Sequence, residues 1–121
     1  MAQNFTVQWN RAKAAAQAAG EAWVASHTQP AYLVKSGDCV VGSLLDFCGR
    51  AYVQTKLNTA FGRWCRAQNA QRGGGVDKWL HFGNALEYRQ EMGLHEAMAG
   101  AALKSLNTDG IPGLSFYSWI D

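Results

Sequence analysis

The chain has only three cysteines, Cys39, Cys48 and Cys65, and no two of them are close in sequence. An odd number at such spacing does not make a disulfide framework, so the fold must rest on a packed core in a reducing cytoplasm. Prolines number two, too few for a structureless, proline-rich chain. No basic segment leads into an apolar stretch near residue 1, so no signal peptide is expected. No apolar run approaches the roughly 20 residues of a membrane-spanning helix. Charge of one sign is also missing. Eleven Lys and Arg stand against nine Asp and Glu, a formal +2, and a dedicated non-specific nucleic-acid binder is more basic than that.

Catalytic and metal-binding signatures are absent as well. There is no G-x-S-x-G elbow and no cysteine–histidine signature. The three histidines, His27, His81 and His95, and the three cysteines have no zinc-like spacing. The nine acids are dispersed; Glu87 and Glu91 stand one helical turn apart and read as a solvated pair. The chain therefore reads as a non-enzyme without a cofactor. An enzyme using His81 or His95 as acid or base ranks last, because neither has a partner visible in sequence.

What is abundant is apolar and aromatic surface. Five Trp, five Phe and four Tyr in 121 residues supply one domain with a real core. The segment NFTVQWNRAKAAAQAAGEAWVASH reads as a helix, because alanine is the best helix former. Phe5, Trp9, Ala12, Ala16, Ala19 and Trp23 make one stripe. Asn10, Lys13, Gln17 and Glu21 fall on the opposite, watery side. Gln29-Pro30 ends the helix.

AYLVK, a turn at Ser36-Gly37-Asp38, and CVVG follow as β-type sequence. Residues 43–55 fit both a helical and an alternating period. Gly49 and the Tyr52-Val53 pair favour the strand. TKLNTAFGRWCRAQN is expected to be helical, ended by RGGG. VDKWLHF alternates as a strand and Gly83-Asn84 turns. A helix over Met92 to Asn107 stops at Thr108-Asp109-Gly110, and IPGLSFYSWID reads as a final strand. The expected fold is a single α+β domain in the order α-β-β-α-β-α-β, with helices on a mainly antiparallel sheet. The apolar arc of the last helix is wider than the ~100° of a one-sided surface helix. That width implies contacts on two sides, either between neighbouring elements or with a second subunit.

The glycine run of RGGGVDKWLHF is not a phosphate loop. Such a loop sits between a strand and a following helix and carries Lys-Ser or Lys-Thr. Here the order is helix, glycines, strand. A loop carrying Arg72 beside Lys78, Trp79 and His81 can instead close over an anionic ligand. Lys56, Arg63 and Arg66 gather on one helix flank as a candidate nucleic-acid patch, with Tyr52 and Trp79 as stacking platforms.

The segments RAKAAAQAAGEAW, CGRAYVQ, FGRWCRAQN, GGGVDKWLHF and HEAMAGAALKSLNTDGI, followed by a strand ending in Asp, together resemble a group of small uncharacterised proteins encoded by tailed phages and prophages. The chain departs from that pattern with Trp119-Ile120, where an arginine near the end is expected. The resemblance implies an accessory protein of the infected bacterial cytoplasm. It implies inhibition of a host antiviral system by binding a defence protein, such as a nuclease complex, or by sequestering a nucleotide signal. Arg50, Tyr52, Arg72, Lys78, Trp79 and His81 are the expected ligand-binding residues, and a homo-oligomer is expected.

Overall fold

The computed structural model describes residues 4–28, 32–36, 39–44, 48–68, 71–72, 77–86 and 88–120, with 32–36, 39–44, 71–72 and 77–78 described as backbone. The elements are α1 (Thr6–Ser26), β1 (Tyr32–Ser36), β2 (Cys39–Leu44), β3 (Gly49–Lys56), α2 (Ala60–Ala67), β4 (Gln71–Arg72), β5 (Asp77–Leu80), α3 (Met92–Thr108) and β6 (Leu114–Ile120). The fold is α+β, as the hydrophobic periodicities imply. β1 and β2 form a two-stranded antiparallel hairpin. The main sheet is antiparallel, in the order β4-β5-β3-β6. No helix among the described residues is long and apolar enough to cross a membrane.

The alanine stripe of α1 packs on α3. Ala12 and Ala16 are buried, and so is Gly20, which lies between Ala16 and Trp23 on the same side. A Cβ on Gly20 would lie 2.9 Å from Met98 Cγ and Sδ, so a larger residue there would require the Met98 side chain to move. Rings close the N-terminal end of the seam. Trp9 stacks on Phe82 with centroids 4.3 Å apart, and Phe5 meets Phe61 edge-on at 5.2 Å. Gln17, on the side expected to face water, is half-buried. Its Oε1 accepts a hydrogen bond from the Ala85 N–H at 3.2 Å and ties the 80s segment to α1.

α3 uses its wide apolar arc within the chain. Leu94, His95, Met98, Ala99, Ala102 and Leu106 are buried between α1 on one side and β3 and β6 on the other. Its C-terminus ends at Gly110, with φ of 78°, and Ile111 N–H reaches back to Leu106 O at 3.1 Å, a glycine-dependent stop. Arg11 of α1 forms an ion pair with Asp109 at that end.

Three boundaries differ from the sequence reading. The ambiguous run over 43–55 is divided: Ser43 and Leu44 belong to β2, and β3 starts at Gly49. Residues 45–47 lie outside the described residues. α2 starts at Ala60, not Thr55, because Thr59 caps it: the Thr59 Oγ1 accepts from the Gly62 N–H at 3.0 Å. Thr55 and Lys56 end the strand instead. The expected strand over VDKWLHF is shorter, ending at Leu80, and His81 and Phe82 lie outside it. Arg72 lies in β4, while 73–76 lie outside the described residues.

Candidate functional site

β3 carries the chemistry because its alternation gives the sheet two different faces. Gly49, Ala51, Val53 and Thr55 are buried toward the helices, whereas Arg50, Tyr52 and Gln54 are half-buried on the other side. Gly49 is required by close approach. A Cβ there would lie 2.5 Å from Trp119 O and 2.9 Å from Met92 Cβ.

The register assembles rings on the face away from the helices. Tyr52 pairs with Tyr117, Arg50 with Trp119, and Gln54 with both Ser115 and Trp79. Tyr52 and Trp79 lie nearly parallel, with centroids 5.6 Å apart and 5° between planes. Trp119 is 5.0 Å from Trp79 and 5.8 Å from Tyr52. Tyr117 completes the cluster at 5.6 Å from Trp119 and remains 49% exposed. The expected neighbourhood of Tyr52 and Trp79 is thus present. Tyr117 and Trp119 join it, though sequence reasoning left them out. Their two-residue spacing in SFYSWI was the signal, but only the pairing of β6 with β3 puts that signal to use.

Arg72 pairs in register with Trp79, and Lys78 with Thr55. Lys56, Arg63 and Arg66 are exposed. Arg63 donates to Asn58 O at 3.2 Å, which holds it against the turn before its own helix.

On the inner side, the sheet forks. β5 pairs with β3 only from Gln54 to Lys56. At the far end, Cys48 bridges to Glu91, and the Gly49 N–H donates to Gln90 O at 3.0 Å. Between these two attachments, residues 50–53 have a strand partner only in β6 among the described residues. The resulting gap is a cavity of about 120 Å³, partly open to solvent, which Arg50 and Tyr52 line together with Val53, Leu80, His81, Asn84 and His95.

Arg50 and His95 meet at its edge. Arg50 Nη1 lies 2.8 Å from Arg89 O and 2.9 Å from His95 Nε2, which is itself 2.5 Å from Arg89 O. Only one assignment avoids placing two lone pairs face to face. His95 Nε2 carries the proton, and both it and Arg50 donate to the Arg89 carbonyl. Arg50 is therefore anchored to backbone rather than free above the rings. His95, 5% exposed, is a core histidine, as its place in the apolar arc of the last helix implies; its partner is not legible from that spacing.

The Arg89 side chain is itself anchored. The guanidinium donates to Glu91 through Nη2 at 2.5 Å and through Nε at 3.2 Å to both carboxylate oxygens. Burial pushes the Glu91 carboxyl up, but the hydrogen bonds from Arg89 and from backbone, with the Arg89 charge, outweigh it and leave the carboxyl below its ordinary range. Glu91 is thus half of a half-buried ion pair, not the solvated acid that its spacing from Glu87 suggested; Glu87 lies outside the described residues.

Asn84 was read as a turn residue. It is 8% exposed, lines the cavity, and its Oδ1 has no hydrogen-bond partner among the described residues. His81 also lines the cavity and reaches a second, shallower groove beside Trp9 and Trp64. Cys65 is fully buried, and burial pushes its thiol up to about 12. Among the described residues no three of the His, Cys, Asp or Glu side chains come together as metal ligands. In comparisons with known proteins, the chain matches no family model, no curated sequence and no solved structure.

Proposed function

We propose that the chain is a non-enzymatic binding protein that captures a nucleotide on the open face of its sheet. One observation carries this reading: Tyr52, Trp79, Tyr117 and Trp119 form a continuous patch of rings across three strands, with Tyr117 half-exposed. Aromatic side chains on a sheet are natural platforms for a nucleobase, each stack contributing about 1–3 kcal/mol. Arg72, in register with Trp79, is the cation assigned to the phosphate, whereas Lys78 pairs with Thr55 of the inward-facing row. The resemblance to phage and prophage proteins supplies the setting. In an infected bacterial cytoplasm, binding without turnover sequesters a nucleotide signal of the host defence, and this would make the protein an inhibitor of that defence. A host defence protein docking on the same rings is the competing target.

The test is titration of intrinsic tryptophan fluorescence with mono-, di- and cyclic nucleotides. Saturable quenching is expected, and Trp79→Ala removes it while the circular dichroism spectrum stays the same. If no nucleotide changes the emission, the reading fails and a pull-down from host cells takes its place. Salt separates the remaining alternative. A single nucleotide loses little affinity as salt rises, whereas single-stranded nucleic acid gripped by Lys56, Arg63 and Arg66 loses it steeply through counterion release. A homo-oligomer would form along β6. Its outer edge has no strand partner among the described residues, and LSFYSWI carries no charge to prevent pairing. Sedimentation across a range of concentrations tests this.

A further inference from the structure

The ring patch and the cleft beside it share a wall, because Arg50 and Tyr52 line the cleft and Tyr52 is one of the rings. Arg50 itself pairs in register with Trp119. We propose that Arg50 receives a second phosphate of the molecule bound on the rings, so that the class of ligand is a dinucleotide carrying phosphates at two separate places. This inference rests on the nucleotide reading and narrows it.

Arg50 is charged, half-buried and uncompensated. The ion pairs of the described residues join Arg11 to Asp109 and Arg89 to Glu91, and Arg50 belongs to neither. Its Nη1 is spent on the Arg89 carbonyl. Its Nε and Nη2 have no hydrogen-bond partner among the described residues, yet neither is sealed from solvent. A guanidinium partly withdrawn from water without a counter-ion is disfavoured. Its planar fork of donors matches the oxygens of a phosphate. The Arg89 carbonyl, which also accepts from His95, holds that fork in place before a ligand arrives. Little side-chain freedom is then lost on binding.

Register separates this cation from Arg72. Arg72, Trp79 and Gln54 form one row across the sheet. Arg50 lies four residues further along β3, about 13 Å at the rise of a strand. The bond from Nη1 to Arg89 O keeps the guanidinium at the end of β3 that meets Glu91, away from the Arg72 row. One phosphate therefore does not serve both positions. Between them lie the rings of Tyr52, Trp79, Tyr117 and Trp119, each in contact with at least two of the others. Four rings offer stacking surface for two bases rather than one.

The experiment titrates the full chain with the dinucleotides ApA and pApA, read by tryptophan fluorescence and calorimetry. The two probes share both bases and the linking phosphate, and pApA alone carries a second phosphate at its 5′ end. We expect pApA to bind about tenfold or more tightly, the scale of one charge-assisted hydrogen-bonded contact. Arg50→Gln retains an N–H donor for Arg89 O and is expected to bring that ratio close to one. Equal binding of ApA and pApA by the unaltered chain overturns the proposal and leaves the nucleotide reading standing; this comparison needs no variant to fold. A ratio that persists undiminished in a folded Arg50→Gln chain also overturns it, because another group would then hold the second phosphate. If neither probe binds at millimolar concentration, the nucleotide reading fails and this inference fails with it.

Discussion

Thr55→Val should make the protein more stable, against the general tendency of core substitutions to weaken a fold. Thr55 sits in the inward-facing row of β3 with 0% exposure, and its Oγ1 has no hydrogen-bond partner among the described residues. An unpartnered buried hydroxyl costs about 1–3 kcal/mol in desolvation. Valine keeps the branched shape that a strand prefers and replaces that oxygen with a methyl group, which gains up to about 0.8 kcal/mol on burial. Some of the sum is lost to imperfect packing where the methyl group is larger than the oxygen. A net gain of about 1–2 kcal/mol remains, which for a chain of this length raises Tm by roughly 4–8 °C. Thr55→Ser is the control, because it keeps the hydroxyl and deletes the methyl. It should cost about 1 kcal/mol. Urea unfolding followed by tryptophan fluorescence should rank the three as Val above Thr above Ser. A valine variant weaker than the natural protein would mean that the hydroxyl has a partner, and the reasoning would be wrong.

Other consequences can be checked on the same protein. Cys65 should resist alkylation by iodoacetamide at pH 8 in the folded state, since burial holds its thiol near 12, while half-buried Cys48 is labelled faster; peptide mapping of the two sites measures the ratio. Glu91 has a folded pKa below its unfolded value, so its stabilising contribution is complete above the ordinary carboxyl value of 4.5 and is lost as pH falls through the folded value. Glu91→Gln should therefore flatten the acid limb of a stability–pH curve below that point. Gly49→Ala places a methyl group against Trp119 O and should destabilise by about 1–3 kcal/mol, read as a lower urea midpoint with unchanged slope.

Periodicity was legible wherever one face of an element dominates. The α1 stripe, the alternation of residues 49–55 and the span of α3 all follow from spacing alone. The start of α2 was not, because Thr55 and Lys56 suit a strand end and a helix start equally well, and only the Thr59 cap decides between them. The site divides in the same way. Tyr52 and Trp79 were placed together because two strands on one face bring alternate residues side by side. Tyr117 and Trp119 were not, since that required knowing that β6 is the other neighbour of β3. Asn84 and His95 belong to the cavity only because β5 leaves β3 after Trp79. A fork in a sheet is a property of the pairing, and no local pattern encodes where one strand departs from another.

The fork also makes this fold compressible. A protein yields to hydrostatic pressure largely because unfolding removes the voids that folding leaves. A space of about 120 Å³ that is partly open to solvent corresponds to roughly 70 mL per mole, an upper limit on the volume that unfolding can remove there. The inner half of the sheet, between β3 and the 80s segment, should therefore be the first region to loosen under kilobar pressure. Val53, Leu80 and Phe82 would report it as early chemical-shift changes, while the seam between α1 and α3, closed by Gly20 against Met98, stays intact.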